Sequence, residues 1–156
     1  MGYQKPSSFP EYGILEEKFV APKDFTIPPV FVLFVPIASY ESKLWPDSHW
    51  KELIELVIKS QNSNVKILLP WGSEKEKNRA KSLAIHPNVI VLPKLSLSEI
   101  AYLLQKALFT VSVDTGLSHM AAMLKAPCVT LYGPTDPNLT GTIGENQHWI
   151  RSKVPC

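Results

Sequence analysis

Short apolar runs alternate with amphipathic segments over residues 30–132, and this alternation limits the fold more strongly than any other feature of the chain. Five runs have the length and aliphatic content of buried strands: 30–37, 65–70, 88–92, 108–113 and 127–132. Four segments carry apolar residues at helical spacing: 46–60, 74–85, 96–107 and 117–125. Strand–helix units of about 20 residues predict parallel strands joined by right-handed crossovers. We therefore expect a doubly wound, Rossmann-like α/β domain.

The composition divides the chain into two parts. Residues 1–29 are interrupted by prolines and show no sustained period, which is typical of a linker or of an arm that lies on another surface. Residues 30–156 form the predicted ligand-binding domain. Within it, Cys128 belongs to the apolar run APCVTLYG and is predicted to be a buried free thiol. With Cys156 it forms no closely spaced framework, which favours a reducing compartment.

Residues 114–116, Asp-Thr-Gly, follow the fourth predicted strand and precede a helix. Aspartic proteases place this tripeptide at their catalytic centre, but those enzymes are all-β, and we reject that interpretation for an α/β chain. In doubly wound sheets, ligands bind beyond the carboxyl ends of the strands. The N–H groups of Thr115, Gly116 and Leu117 at a helix start predict an anion site there. Asp114 either accepts hydrogen bonds from ligand hydroxyls or caps the helix.

Polar side chains also follow the first two predicted strands. Ser39 and Lys43 come after the first strand, where a lysine either neutralises phosphate or is simply solvated. Glu76 stands in the charged segment after the second strand, and its carboxylate either holds ribose hydroxyls or belongs to a solvated helix face. His119 lies one turn into the helix after Asp114 and is either a pocket residue or an ordinary half-buried histidine. At the start of the third predicted helix, 96–107, Ser96 and Glu99 have capping-box spacing.

Several function classes are disfavoured by what the sequence lacks. The GxGxxG and GxxxxGK[ST] patterns are absent after the first strand, which argues against a dinucleotide or P-loop site. The four histidines lack metal-ligand spacing, and no DxD cluster follows a strand, so we expect no metal. A net charge of +2 is too small to indicate nucleic-acid binding. No apolar run approaches the roughly 20 residues of a membrane span, and the amino terminus lacks a signal-peptide pattern, so we expect a cytoplasmic protein.

Five segments, taken in order, carry a family resemblance: KLWPDSHWKELI, ILLPWGSEKEKNRAKSLA, VLPKLSLSEIAYLL, VSVDTGLSHMAA and YGPTDPNLTGTIGENQ. They resemble the lipopolysaccharide heptosyltransferases of glycosyltransferase family 9. The DTGLSH and LPWG motifs are more similar to the heptosyltransferase I branch than to heptosyltransferase II. The resemblance covers residues 30–151 and implies a GT-B glycosyltransferase, of which this chain is the carboxy-terminal, donor-binding half.

The resemblance implies ADP-L-glycero-D-manno-heptose as donor and Kdo on lipid A as acceptor. It also assigns donor-binding roles by position to eight residues: Ser39, Lys43, Glu76, Leu95, Asp114, Thr115, Gly116 and His119. Lys43 would bind the donor phosphates and stabilise the leaving group, while Thr115 and Gly116 would hold the diphosphate. No metal is implied, because the lysine and the helix N–H groups neutralise the charge of the leaving group.

The remaining assignments place the two ends of the donor. Glu76 would bind the ribose, Leu95 would pack near the adenine, Asp114 would contact the heptose and His119 would line the pocket. One departure concerns the segment after the first strand, where the family often shows two threonines. This chain offers only Ser39 as a hydroxyl there.

The amino-terminal, acceptor-binding half and its general base are not recognisable in these residues. We therefore expect the isolated chain to be inactive, and the whole enzyme to work at the cytoplasmic face of the inner membrane as a peripheral protein. Two alternatives stay open. One is a nucleotide-binding module without chemistry of its own, and the other is a family member that uses another nucleotide sugar, such as a heptosyltransferase II.

Overall fold

The computed structural model describes residues 9, 11–14, 19–60 and 64–153, so Cys156 and most of residues 1–18 lie outside it. The elements follow in this order: β1 (Phe31–Val35), α1 (Asp47–Ser60), β2 (Lys66–Leu69), α2 (Glu74–Leu83), β3 (Val89–Val91), α3 (Leu97–Lys106), β4 (Thr110–Val113), α4 (Gly116–Met123), β5 (Cys128–Tyr132), α5 (Pro137–Thr140) and β6 (Gln147–Arg151). A 3-10 helix, Glu41–Lys43, lies between β1 and α1. None of the helices in these ranges is long and apolar enough to cross a bilayer.

The strands form one parallel sheet in the order β3-β2-β1-β4-β5-β6. Leu33 of β1 pairs with Leu68 of β2 on one side and with Thr110 of β4 on the other. The chain runs outward from β1 to β3, crosses back to β4, and then runs outward in the opposite direction. The carboxyl ends of β1 and β4 therefore flank a topological switch point, where doubly wound sheets bind ligands. The predicted fold class is confirmed.

Helices cover the sheet on both faces because alternate strand residues point to opposite sides. Val32 and Phe34 belong to the cluster that includes Trp50 of α1 and Leu83 of α2. Leu33, between them in β1, belongs instead to the cluster formed with α3 and α4. Strands buried on both faces read as continuous apolar runs, which is why these central strands were recognisable in the sequence.

Serine–glutamate pairs begin two of the helices. Ser96 caps α3, because its hydroxyl accepts from the N–H of Glu99 and its own N–H donates to Oε2 of Glu99 at 2.8 Å. The predicted capping box is thus confirmed, and these hydrogen bonds lower the pKa of Glu99. Ser73 and Glu76 form an equivalent capping box at the start of α2, which was not predicted.

The carboxy-terminal part of the sheet differs from the sequence prediction. Five strands were expected, but β6 adds a sixth at the edge beside β5. Its residues are mostly exposed and mix polar with apolar side chains, so neither an apolar run nor an alternation marks it. Backbone hydrogen bonds to β5 supply its stability instead. The segment between β5 and β6, for which no helix was predicted, also contains the single helical turn α5, capped by the Asp136 side chain.

The described part of the proline-rich segment lies against the α3 face of the domain. Phe19, Phe25 and Ile27 are partly buried against that apolar cluster, and the Val20 N–H donates to Oγ of Ser98. Cys128 is buried, as predicted, with 2% of its surface exposed. Burial raises the pKa of this thiol to about 11.

Candidate functional site

Residues from the ends of β1 and β4 meet at the switch point, around a cavity of about 210 Å³. Seven residues line it: Ser39, Tyr40, Lys43, Asp114, Thr115, Gly116 and His119. All of the predicted donor-binding residues except Glu76 and Leu95 are therefore brought together here. Their clustering follows from the topology, because β1 and β4 are far apart in sequence but adjacent in the sheet.

Lys43 and Asp114 form an ion pair across this cavity. The Lys43 Nζ lies 2.7 Å from Oδ2 of Asp114, and only 6% of the Asp114 side chain is exposed, against 28% for Lys43. The Asp114 backbone continues the sheet ladder, since its N–H donates to the Leu131 carbonyl at 3.2 Å. His119 stands further away, with Nε2 at 3.9 Å from the other carboxylate oxygen. A buried carboxylate thus holds a lysine ammonium at the mouth of the sheet.

The N-cap residue of α4 is Thr115, and the side chain that bonds back to it belongs to Ser118, not to Asp114. The Thr115 N–H donates to Oγ of Ser118 at 3.4 Å, and that hydroxyl donates back to the Thr115 carbonyl at 2.7 Å. Of the two roles left open for Asp114, helix capping is therefore wrong. The expectation of a free Thr115 N–H is corrected as well, because that group is already used within the turn.

Gly116 and Leu117 supply the N–H groups that remain available at the start of α4. Within the described ranges neither donates to a protein acceptor, as expected for the first residues of a helix. Gly116 is exposed, and a Cβ placed on it would meet no atom within 4 Å. The backbone is thus open to an anion on this side, with the helix dipole favouring negative charge.

Glu76 lies beside a neighbouring cavity of about 290 Å³, which also contains Ser39, Ser73 and Arg79. Its Oε2 accepts from the N–H groups of Gly72 and Ser73, both at 2.8 Å. Glu76 is therefore a helix-capping residue in this structure, and its second oxygen is the one left to face a ligand. Ser39 lines both cavities, and we call these two neighbouring cavities at the carboxyl edge of β1 and β2 the track.

Leu95 stands apart from the other predicted residues. It is half-buried against the α3 side of the apolar core and lines neither of these cavities. The nearby Trp71 is buried, and its Nε1 donates to the Leu92 carbonyl at 2.6 Å, which ties the ends of β2 and β3 together. The structure gives these two residues packing roles.

A third cavity, of about 480 Å³, lies on the other side of Lys43. Trp45 and His49 line it from the α1 side, and Leu131 and Ile150 line it from β5 and β6. Its walls come from the sheet face that α1 and α2 leave open near β6. Sequence reasoning did not anticipate it, because it depends on the unpredicted strand β6.

Tyr40 and Arg79 are among the residues that line the track but were not predicted. Tyr40 lines the switch-point cavity, and Arg79 lines the Glu76 cavity. Arg79 was not singled out within the charged segment after the second strand, although its position three residues after Glu76 places both on one side of a helix. That spacing is the signal that points to it.

Known proteins of similar sequence and fold identify the family of this chain. The sequence model of glycosyltransferase family 9 (heptosyltransferase) matches residues 1–156. Lipopolysaccharide heptosyltransferase 1 of Salmonella typhimurium is 44% identical over 148 residues, which are 94% of this chain and 45% of that protein. The structure of the E. coli heptosyltransferase WaaC with ADP is similar with a TM-score of 0.82 and 43% identity, over 97% of this chain and 46% of that one. The structure of the same enzyme with ADP-2-deoxy-2-fluoro heptose is similar with a TM-score of 0.78 and 42% identity, over 97% of this chain and 45% of that one.

The chain spans a little under half the length of these relatives. The similarity nevertheless extends over almost all of its own residues, including every segment that lines the switch-point cavity. The chain belongs to glycosyltransferase family 9, the heptosyltransferase family.

Proposed function

We propose that this chain is the donor-binding part of an inverting glycosyltransferase. The reaction moves L-glycero-D-manno-heptose from ADP-heptose to Kdo of lipid A, in the biosynthesis of the lipopolysaccharide inner core. The observation that carries the proposal is the cavity at the switch point, where a lysine and the open N–H groups of a helix start converge. Relatives of the same fold have been solved with ADP and with an ADP-heptose analogue, which supports a nucleotide-sugar donor.

The donor diphosphate lies in the switch-point cavity. Lys43 supplies the positive charge, Ser39 and Thr115 supply hydroxyl groups, and Gly116 brings its N–H to the cavity, with the N–H of Leu117 next to it at the start of α4. Several donors around one small space suit a diphosphate, whose charge is spread over many oxygens. The net charge of the whole chain plays no part in this local recognition.

The nucleoside extends along the track toward α2. Ser39 joins the two cavities, and Glu76 offers a carboxylate oxygen to the ribose hydroxyls at the far end. Leu95 is proposed to lie near the adenine on the strength of the family resemblance alone. The heptose occupies the opposite end, where Asp114 accepts hydrogen bonds from sugar hydroxyls and His119 lines the wall.

In the proposed reaction an acceptor hydroxyl attacks the anomeric carbon as its bond to the diphosphate oxygen breaks. The hydroxyl proton goes to a base outside the described residues, and ADP carries away the bonding electrons. Negative charge therefore grows on the diphosphate, where Lys43 and the α4 N–H groups stabilise it. We propose that this stabilisation needs no metal ion.

Asp114 has a second part in the proposal, since it holds Lys43 before the donor arrives. A lysine anchored by a buried carboxylate loses less side-chain entropy on binding than a free one. The acceptor is part of a lipid, so we also propose that the whole enzyme works at the cytoplasmic face of the inner membrane as a peripheral protein.

Calorimetric titration of the chain with ADP, ADP-heptose and UDP tests the proposal. We expect ADP and ADP-heptose to bind and UDP to bind more weakly. Chemical-shift changes on ADP addition should fall on residues after β1 and β4. Binding of UDP as tightly as ADP would favour a family member with another nucleotide sugar, and no nucleotide binding at all would contradict the proposal.

A further inference from the structure

Arg79 of α2 spans the segment that carries the proposed diphosphate lysine. We call residues 36–46, from the end of β1 to the start of α1, the phosphate loop. The Arg79 guanidinium donates to the Pro36 carbonyl at one end of this loop and, through Nη2 at 2.7 Å, to the Trp45 carbonyl at the other. Its Nε donates to Oδ1 of Asp47 at 2.8 Å, at the first turn of α1. One side chain thus fixes both ends of the loop.

A few contacts hold the interior of the phosphate loop, including an exposed ion pair at 2.8 Å between Lys75 Nζ of α2 and Oε1 of Glu41. Its 3-10 helix is held by two backbone hydrogen bonds, from Lys43 to the Tyr40 carbonyl and from Leu44 to the Glu41 carbonyl. On the β5 side the packing is close, since a Cβ on Gly133 would lie 3.1 Å from the Ser42 carbonyl oxygen. Arg79 and the end of β5 therefore border the loop on two sides, while Asp114 holds the Lys43 side chain at the mouth of β4.

The Arg79 contacts are of the kind that only a guanidinium makes. Its side chain is 16% exposed, and it serves two carbonyls and one carboxylate at once. A planar fork with five donors meets such a set, whereas a lysine ammonium on a flexible stem does not hold the same three directions. A cation needed only for solubility would not be placed this way.

We propose that Arg79 is a positioning residue for the donor diphosphate and acts through Lys43. The inference rests on the proposed function, because it takes the diphosphate to be the ligand of Lys43. Arg79 holds the phosphate loop so that the lysine stands at the mouth of β4, against Asp114, before the donor binds. Arg79 also lines the Glu76 cavity, so the rival role is direct contact with the nucleotide. The effect of an Arg79 substitution depends on the presence of Lys43 if Arg79 positions that lysine, and does not if Arg79 contacts the nucleotide itself.

A double-mutant cycle on ADP binding separates the two roles. ADP is titrated into the parent chain, Arg79→Met, Lys43→Ala and the double variant. We expect Arg79→Met to lower ADP affinity about tenfold in the parent chain and less than about twofold in the Lys43→Ala background. The second effect is smaller because a residue that acts through Lys43 has no side chain to position once that lysine is removed. An equal loss in both backgrounds, or none in the parent, would overturn the inference while leaving the proposed function in place.

Further variants keep the result independent of folding and charge. Lys81→Met removes a cation from the exposed end of the same helix and should leave ADP affinity unchanged. Arg79→Lys keeps the charge but loses the fork, so affinity restored to the parent value would contradict a positioning role. If Arg79→Met does not fold, Asp47→Asn weakens the Arg79 contacts from the α1 side and should show a smaller loss of ADP affinity with the same dependence on Lys43. Failure of the parent chain to bind ADP would overturn the proposed function and this inference together.

Discussion

The ammonium nitrogen of Lys43 lies 2.7 Å from Oδ2 of Asp114, at the point where β1 and β4 end side by side. The carboxylate is buried and the lysine is largely covered, so this pair differs from an exposed ion pair such as Lys75–Glu41, whose partners are both more than 80% exposed. Exposed pairs contribute little to stability, whereas a buried carboxylate depends on its cation. The Lys43–Asp114 pair is therefore expected to contribute both to the stability of the fold and to the proposed donor site.

Replacing Lys43 by alanine should weaken ADP binding by about 1.5–3 kcal/mol, the range for a hydrogen bond to a charged group. The loss arises because no other lysine or arginine lines the switch-point cavity within the described residues. Calorimetry of parent and variant measures it, with Lys81→Ala as a control for the loss of one surface charge. Unchanged ADP affinity in the Lys43 variant would refute the diphosphate assignment.

The same replacement should also destabilise the free chain, because it leaves the buried Asp114 carboxylate without its cation. We expect the free energy of unfolding to fall by about 1–3 kcal/mol. Adding Asp114→Asn to Lys43→Ala should recover part of this loss, since a neutral amide is less costly to bury unpaired than a charge. Urea unfolding of both single variants and the double variant measures the coupling, and simple additivity would argue against the ion pair.

Gly116→Ala should leave stability almost unchanged yet weaken ADP binding. A Cβ at this position meets no protein atom within 4 Å, and alanine is a better helix former than glycine by up to about 1 kcal/mol. The added methyl group would instead occupy space next to the diphosphate. Thermal unfolding of the variant measures its stability, and ADP titration of the same sample measures its affinity. A variant that binds ADP like the parent would place the ligand elsewhere.

Stability should decline in alkaline solution in part because of Cys128. Burial raises the pKa of this thiol from 9.0 to about 11, so the folded chain keeps its proton where the unfolded chain has lost it. The contribution of the Cys128 proton to the free energy of unfolding is complete below pH 9 and is lost as the pH rises through about 11. A pKa difference of about two units between the folded and unfolded chain corresponds to about 2–3 kcal/mol. Tyr132, whose pKa is also raised by burial, adds to the same trend. Urea unfolding between pH 8 and 11 should show a shallower decline in Cys128→Ala than in the parent.

The isolated chain should transfer no heptose even where it binds ADP. Displacement needs the acceptor hydroxyl within about 3–3.5 Å of the anomeric carbon and a base beside it. The acidic side chain at the switch-point cavity, Asp114, is already paired with Lys43, and the chain spans under half the length of its relatives. The test incubates the chain with ADP-heptose and Kdo-lipid A and analyses the lipid by mass spectrometry, beside a full-length heptosyltransferase 1. Heptosylated lipid above a Lys43→Ala control would show that this chain contains the catalytic machinery.

The sequence by itself determined the central architecture. Strands β1 to β5 and helices α1 to α4 were recognisable from their apolar residues. A parallel strand that is buried on both faces is a continuous apolar run, and a helix that is buried on one face has apolar residues at helical spacing. The alternation of these elements then required parallel pairing and pointed to the strand ends as the site. Most of the residues named on that ground, such as Ser39 and Gly116, do line one cavity.

Tertiary structure alone decided how those residues are used. That Asp114 pairs with Lys43 instead of capping α4, and that Arg79 bridges both ends of the phosphate loop, depend on contacts between distant parts of the chain. Strand β6 was also decided by tertiary structure, since this exposed edge strand is held by backbone hydrogen bonds to its neighbour β5. Periodicity records which side of an element is buried, but the partner of a polar side chain is set by which elements the sheet order brings together.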